Sequence, residues 1–217
     1  MPRERLDQLD VVRLRELFAE LDAELAGRVE PVRVLVAGGA ALAFRWRDRT
    51  TYDVDLIGGD FPPDFRRAVV AVAERHNLEW HWVNSGATAG GATLEPHPQP
   101  LYVGQNFQAY SPDARYLLAM KLFANRERDF HDAVLLSQET GLTTAAEMLQ
   151  LVDDAYHHNV IPAEIEDFAH TVARAVAERS GHQLDTTTRH TGDAAAPAGG
   201  SASDDTQSGS SIAQSPP

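Results

Sequence analysis

Two aspartates separated by a single residue, Asp53 and Asp55, stand in the segment Tyr52–Ile57 (YDVDLI), whose polar and apolar residues alternate with the period of a half-exposed strand. A strand carries residues i and i+2 on one face with Cα atoms ~6.6 Å apart, so both carboxylates can close on one hard cation. Side by side they repel unless a cation or a proton lies between them. Mg²⁺ suits such a pair, because it takes few carboxylates and completes its octahedron with water and phosphate oxygens. An Asp-x-Asp by itself equally describes a solvated strand face carrying two charges. The glycines upstream narrow the choice. Gly38-Gly39 follows the β-branched run Val32–Ala37 and precedes a segment, Ala40–Arg47, that reads as a helix. Glycine at a strand-to-helix turn lets the backbone approach a ligand and aims the first N–H groups of the helix at it, an arrangement that suits phosphate.

The cations point the same way. The chain holds 19 Lys and Arg together, and Lys121 is the single lysine among them. A compact ammonium on a flexible stem reaches a phosphate oxygen where a planar guanidinium does not fit. The formal net charge is −13, which argues against a protein that coats nucleic acid by bulk attraction and leaves room only for a local basic patch. Arg45, Arg47 and Arg49, ahead of the acidic segment, together with Arg66-Arg67, Arg126 and Arg128, are the candidates for such a patch, or else a solvated surface paired with neighbouring acids. His76, His81 and His157-His158 lack partners at ligand spacing. Trp80 and Trp82 read as core residues of a strand over Leu78–Val83. Cysteine is absent, so thiolate chemistry and disulfides are excluded.

The elements that position these residues follow from periodicity and punctuation. Leu6, Leu9, Leu14, Leu17, Leu21 and Leu25 predict an amphipathic helix ending near Gly27. Strands are expected at 32–37, 52–57, 78–83, 101–103 and 106–110, and helices at 40–47, 62–74, 114–124, 129–139, 144–158 and 163–179. Residues 84–100, rich in Gly, Pro, Thr and Ser, predict a long mobile loop. From Gly181 the chain has only Leu184 and Ile212 as large aliphatics, which cannot offset the ordering entropy, so 181–217 is expected to be a disordered tail. The expected organisation is therefore an N-terminal helix (1–29), a core (30–140), C-terminal helices (141–180) and the tail. The fold class is α+β, a small mixed sheet flanked by helices with a helical second half. No run of ~18–20 apolar residues that could cross a membrane is present. The opening MPRERLDQLD lacks the apolar centre of a secretory signal, so the cytoplasm is the expected compartment.

The order Gly-Gly, thirteen residues, Asp-x-Asp, with Arg49 and Thr51 just ahead of the acids, resembles the minimal nucleotidyltransferase superfamily, relatives of DNA polymerase β. The run GGAALAFRWRDRTTYDVDL is similar to that of AbiEii-like toxin nucleotidyltransferases of bacterial toxin–antitoxin systems. A second block, YLLAMKLFANRERDFHDAVLL, holding Lys121, Arg126, Arg128, Asp129 and Asp132, resembles that family's Lys-plus-Arg-Asp-x-x-Asp segment. The resemblance covers roughly residues 30–140. One departure is Ala40, where many members carry serine.

What the resemblance implies is a Mg²⁺-dependent enzyme that transfers a nucleotide from an NTP to a hydroxyl. Asp53 and Asp55 would hold the metal; Gly38, Gly39, Arg49, Thr51 and Lys121 would bind the nucleotide's phosphates. Asp132, with Asp129 second, would be the third catalytic carboxylate. A break at Asn125–Glu127 is expected, with Asp129 capping the next helix and Asp132 facing the site. The implied acceptor is RNA, a tRNA 3′ end among the candidates, or a protein hydroxyl, and the implied partner is a cognate antitoxin. The alternative is a non-catalytic binding or antitoxin subunit that keeps the fold. An aspartate-based phosphohydrolase fits the acids but not the glycine turn that precedes them.

Overall fold

The computed structural model describes residues 8–157 and 161–191. The chain falls into two units, Met1–Arg179 and Ser180–Pro217, and the first contains every candidate site residue named above. Five strands form one mixed sheet: β1 (Val32–Ala37), β2 (Val54–Ile57), β3 (Val83–Asn84), β4 (Gln99–Val103) and β5 (Phe107–Ser111), in the order β3-β2-β1-β5-β4. The central strand β1 is antiparallel to β2 and parallel to β5, so the expected α+β class with a mixed sheet is the one observed.

The two faces of the sheet differ. Val32 and Val34 of β1 lie opposite Phe107 and Ala109 of β5, and all four are buried. Against this core pack α1 (Val11–Glu24), through Leu14, Leu17, Phe18 and Leu21, and α2 (Gly38–Arg45), through Ala40–Ala43. α3 (Pro63–His76) buries Phe65, Val69 and Val72 and packs on α1. The other face carries half-buried Leu35, Ile57 and Tyr110, and the acids emerge at its end, since Asp55 pairs with Ala37 in the same register that sets Leu35 against Ile57. The helical half comprises α4 (Ala114–Ala124), α5 (Phe130–Thr140), α6 (Ala145–Tyr156) and α7 (Ala163–Thr191).

Several expectations are corrected here. α1 begins at Val11, where the Asp10 side chain accepts the Arg13 N–H at 2.8 Å; Leu9 belongs instead to a bridge with Thr51, and residues 1–7 lie outside those described. The helix after β1 starts at Gly38 rather than Ala40, so both glycines are its first residues. Asp53 sits in a bend ahead of β2 and not on the strand. The strand expected at 78–83 shrinks to Val83–Asn84, because Trp82 N–H turns back onto Glu79 O at 2.9 Å. Trp82 is buried and donates to Val69 O, whereas Trp80 is 71% exposed and not a core residue. Residues 84–100 are tied down: Tyr156 and Tyr116 donate to Gly90 O and Ala92 O, and Thr93 N–H donates to Ala155 O at 2.8 Å. α7 runs to Thr191, past the expected start of the tail at 181, although the two units divide beside that boundary, after Arg179; 192–217 and His158 lie outside the described residues. Among the described residues no helix is long and apolar enough to cross a membrane.

Candidate active site

Gly38 has φ +62°, a left-handed conformation that an L side chain rarely adopts. A Cβ at this position would collide with the Asp55 carboxylate, which lies against the bare Cα. Gly39 is bare for a parallel reason: its Cβ would stand 2.6 Å from Thr51 Oγ1. The glycine pair therefore does more than open a turn. It lets the first residues of α2 close onto the acidic segment, and the N-cap residue Ala37 offers no side chain to bond the helix's first N–H groups.

Around that bend the acids are ordered by short bonds. The Thr51 hydroxyl donates to Asp53 O at 3.1 Å and reaches Asp53 Oδ1 at 3.4 Å, and Thr51 is buried. Thr51 thus shapes the bend that presents Asp53, and its hydroxyl lies between that bend and Gly39. Asp55 and Asp53 are both half-buried and close enough to interact. Burial, and then the neighbouring charge of Asp53, push the Asp55 carboxyl above its ordinary range, while a hydrogen bond from Asn84 and the positive charges of Lys121 and Arg126 pull it back. Two hard oxygen donors that disfavour each other's charge fit a Mg²⁺ ion that draws its other ligands from water and phosphate. Among the described residues no group of three or more His, Asp or Glu side chains that could hold a metal occurs.

Asn84 is the residue that sequence reasoning missed. It pairs with Asp55 across β2 and β3, and its Nδ2 lies 3.5 Å from Asp53 Oδ2. Its type carries no signal of its own at the head of a Gly- and Thr-rich loop; only the pairing of β3 with β2 reveals it.

The second block forms a cluster near enough for the charges of Lys121 and Arg126 to act on Asp55. α4 ends at Asn125, which adopts φ +44°, and a 3₁₀ turn over Glu127–Asp129 leads into α5, so the expected break is present. Asp129 occupies the N-cap position of α5, but its side chain makes no capping bond and instead accepts from Lys121 Nζ. Asp132 accepts from Lys121 Nζ at 3.1 Å through Oδ2 and from the Arg49 guanidinium through Oδ1. Both acids are buried, with side chains 8% and 4% exposed. Two cations thus face two acids and neutralise them. Asp132 is engaged on both oxygens, and Lys121 and Arg49 are engaged as well. Of the arginines weighed for a basic patch, Arg45 pairs with Glu139, while Arg47, Arg66, Arg67, Arg126 and Arg128 are exposed.

A cleft of about 410 Å³ between α2, β4 and the start of α4 is lined by Arg45 and Glu139, but by none of Gly38, Gly39, Arg49, Thr51, Asp53, Asp55, Lys121 or Asp132. No family model matches the chain, and comparison with curated proteins and with solved structures yields no match to it.

Proposed function

We propose that the protein is a Mg²⁺-dependent nucleotidyltransferase of the toxin–antitoxin kind, moving NMP from an NTP to an RNA or protein hydroxyl. The observation that carries this reading is the seating of the Asp55 carboxylate against Gly38, where a strand-to-helix turn meets the acid pair. Asp53 and Asp55 would hold the ion, which when bound supplies positive charge at the α-phosphate. Gly38 and Gly39 bring the first N–H groups of α2 toward the phosphates leaving with the β-position. The acceptor oxygen forms a bond to the α-phosphorus as the α–β phosphoanhydride breaks. Pyrophosphate leaves, and the hydroxyl proton passes to water.

In this reading Lys121 and Arg49 contribute as a clamped pair rather than as free arms. Asp132 is then a positioning residue that holds both cations. Because their charge is already matched by Asp129 and Asp132, they steer by location and hydrogen bonding more than by net charge.

One observation favours the alternative of a non-catalytic binding or antitoxin subunit: the acid expected to complete the catalytic set, Asp132, is spent on Lys121 and Arg49. Incubating the full chain with α-³²P-labelled NTPs, Mg²⁺ and total bacterial RNA or protein separates the two. Label transfer that Asp53→Ala abolishes supports the enzyme. Absence of transfer to any acceptor, with tight binding of a partner protein, supports the subunit.

A further inference from the structure

We propose that Asn84 fixes the carboxylate pair as a two-acid site, so that the divalent cation enters with the nucleotide phosphates rather than before them. This rests on the function proposed above and adds a residue and an order of binding to it.

The orientation of the amide is set by its neighbour. Gly86 N–H donates to Asn84 Oδ1 at 2.6 Å, which commits the amide oxygen and leaves Nδ2 as the edge turned to the acids. Residues 84–86 close tightly on the pair: a Cβ at Gly86 would stand 2.6 Å from Asn84 Oδ1 and 3.0 Å from Asp55 Oδ1. An N–H donor aimed at a carboxylate competes with a cation for the same lone pairs and ligates nothing itself. With its oxygen turned to the Gly86 N–H and its N–H edge to the acids, Asn84 adds no charge to the pair.

Among the described residues no group of three or more acidic or histidine side chains makes up the deficit. Asp129 and Asp132, the buried acids of the adjoining cluster, are held by Lys121 and Arg49. Mg²⁺ and Mn²⁺ demand about six oxygens, and affinity rises with the number of charged ligands. Two carboxylates leave most of that shell to water until phosphate oxygens arrive. Aspartate at residue 84 would have nearly the same shape and would add a third charge, so the identity of this one side chain sets the difference.

The test is equilibrium dialysis of Mn²⁺ against the full chain, alone and with the α,β-methylene analogues of the four NTPs on both sides of the membrane. The wild-type chain is expected to retain Mn²⁺ only weakly without nucleotide, and at least about tenfold more tightly with it. Asn84→Asp is expected to tighten nucleotide-free binding by about tenfold and to shrink the effect of nucleotide. Strong Mn²⁺ retention by the wild type without nucleotide overturns the proposal, as does a folded Asn84→Asp chain, checked by circular dichroism, that binds as the wild type does. Both results leave the nucleotidyltransferase reading standing. No Mn²⁺ retention by the wild type even with nucleotide overturns both. The wild-type comparison decides the order of binding whether or not the variant folds.

Discussion

The Asp55 carboxylate occupies the space that a side chain at Gly38 would need, so the acid and the glycine are two halves of one packing decision. Glycine at 38 is required twice, by its φ of +62° and by this contact. Gly38→Ala is therefore expected to cost about 2–3 kcal/mol in urea denaturation and to abolish Mg²⁺-dependent nucleotide binding. Gly27→Ala is the comparison, because Gly27 has φ +89° with nothing within 4 Å of its would-be Cβ. That variant is expected to lose about 1 kcal/mol and to bind nucleotide unchanged. Equal effects of the two substitutions on binding would contradict the account.

The cluster of Lys121, Arg49, Asp129 and Asp132 predicts an uneven response to charge removal. Asp132→Asn leaves two cations facing one remaining acid in a buried setting, and about 3 kcal/mol of destabilisation is expected from equilibrium unfolding. Glu139→Gln breaks the ion pair with Arg45 nearer the surface, where the side chains are 22% and 38% exposed, and less than about 1 kcal/mol is expected.

Asp55 also gives a pH signature. Its carboxyl is raised above the ordinary 3.8 by burial and by Asp53, so the folded chain holds this proton more tightly than the unfolded chain does. The stability associated with the protonated form is complete below 3.8 and is lost as pH rises through the raised value. In metal-free buffer, Asp55→Asn is expected to flatten the fall in stability over that interval and to be more stable than the parent above it. Denaturation midpoints collected across the interval test this; parallel curves for the two chains would contradict it.

The tryptophans supply a simpler check. Trp82 is 1% exposed and bonds Val69 O, so Trp82→Ala is expected to cost about 3–5 kcal/mol. Trp80 is 71% exposed, so Trp80→Ala is expected to lie within about 0.5 kcal/mol of the parent. Thermal or urea midpoints read both.

Much of the framework was legible from local signals. The bounds of β1 followed from a β-branched run ahead of Gly38-Gly39, and α4 stands at the expected 114–124, its start capped by Asp113, whose side chain accepts the Tyr116 N–H. The break after Ala124 was legible once the resemblance put Lys121 and Asp132 in one site, since one unbroken helix would carry Asp132 ~16 Å along the axis from Lys121. Illegible were the features fixed by tertiary pairing. Leu9 kept the spacing of a helical leucine yet is buried through its bridge to Thr51, and Trp80 kept the spacing of Trp82 yet lies on a turn. Asp132 was expected to face the acids, but no sequence signal showed that Arg49, distant in the chain, would take its second oxygen. Asn84 entered the site only because β3 pairs with β2.

The most direct measurement is calorimetric titration of each NTP into the full chain with and without Mg²⁺, for the wild type and for Asp53→Asn/Asp55→Asn. The account predicts binding of at least one NTP that requires Mg²⁺ and is lost in the double variant. Binding that is indifferent to Mg²⁺, that survives the double substitution, or that is absent for all four nucleotides would contradict it.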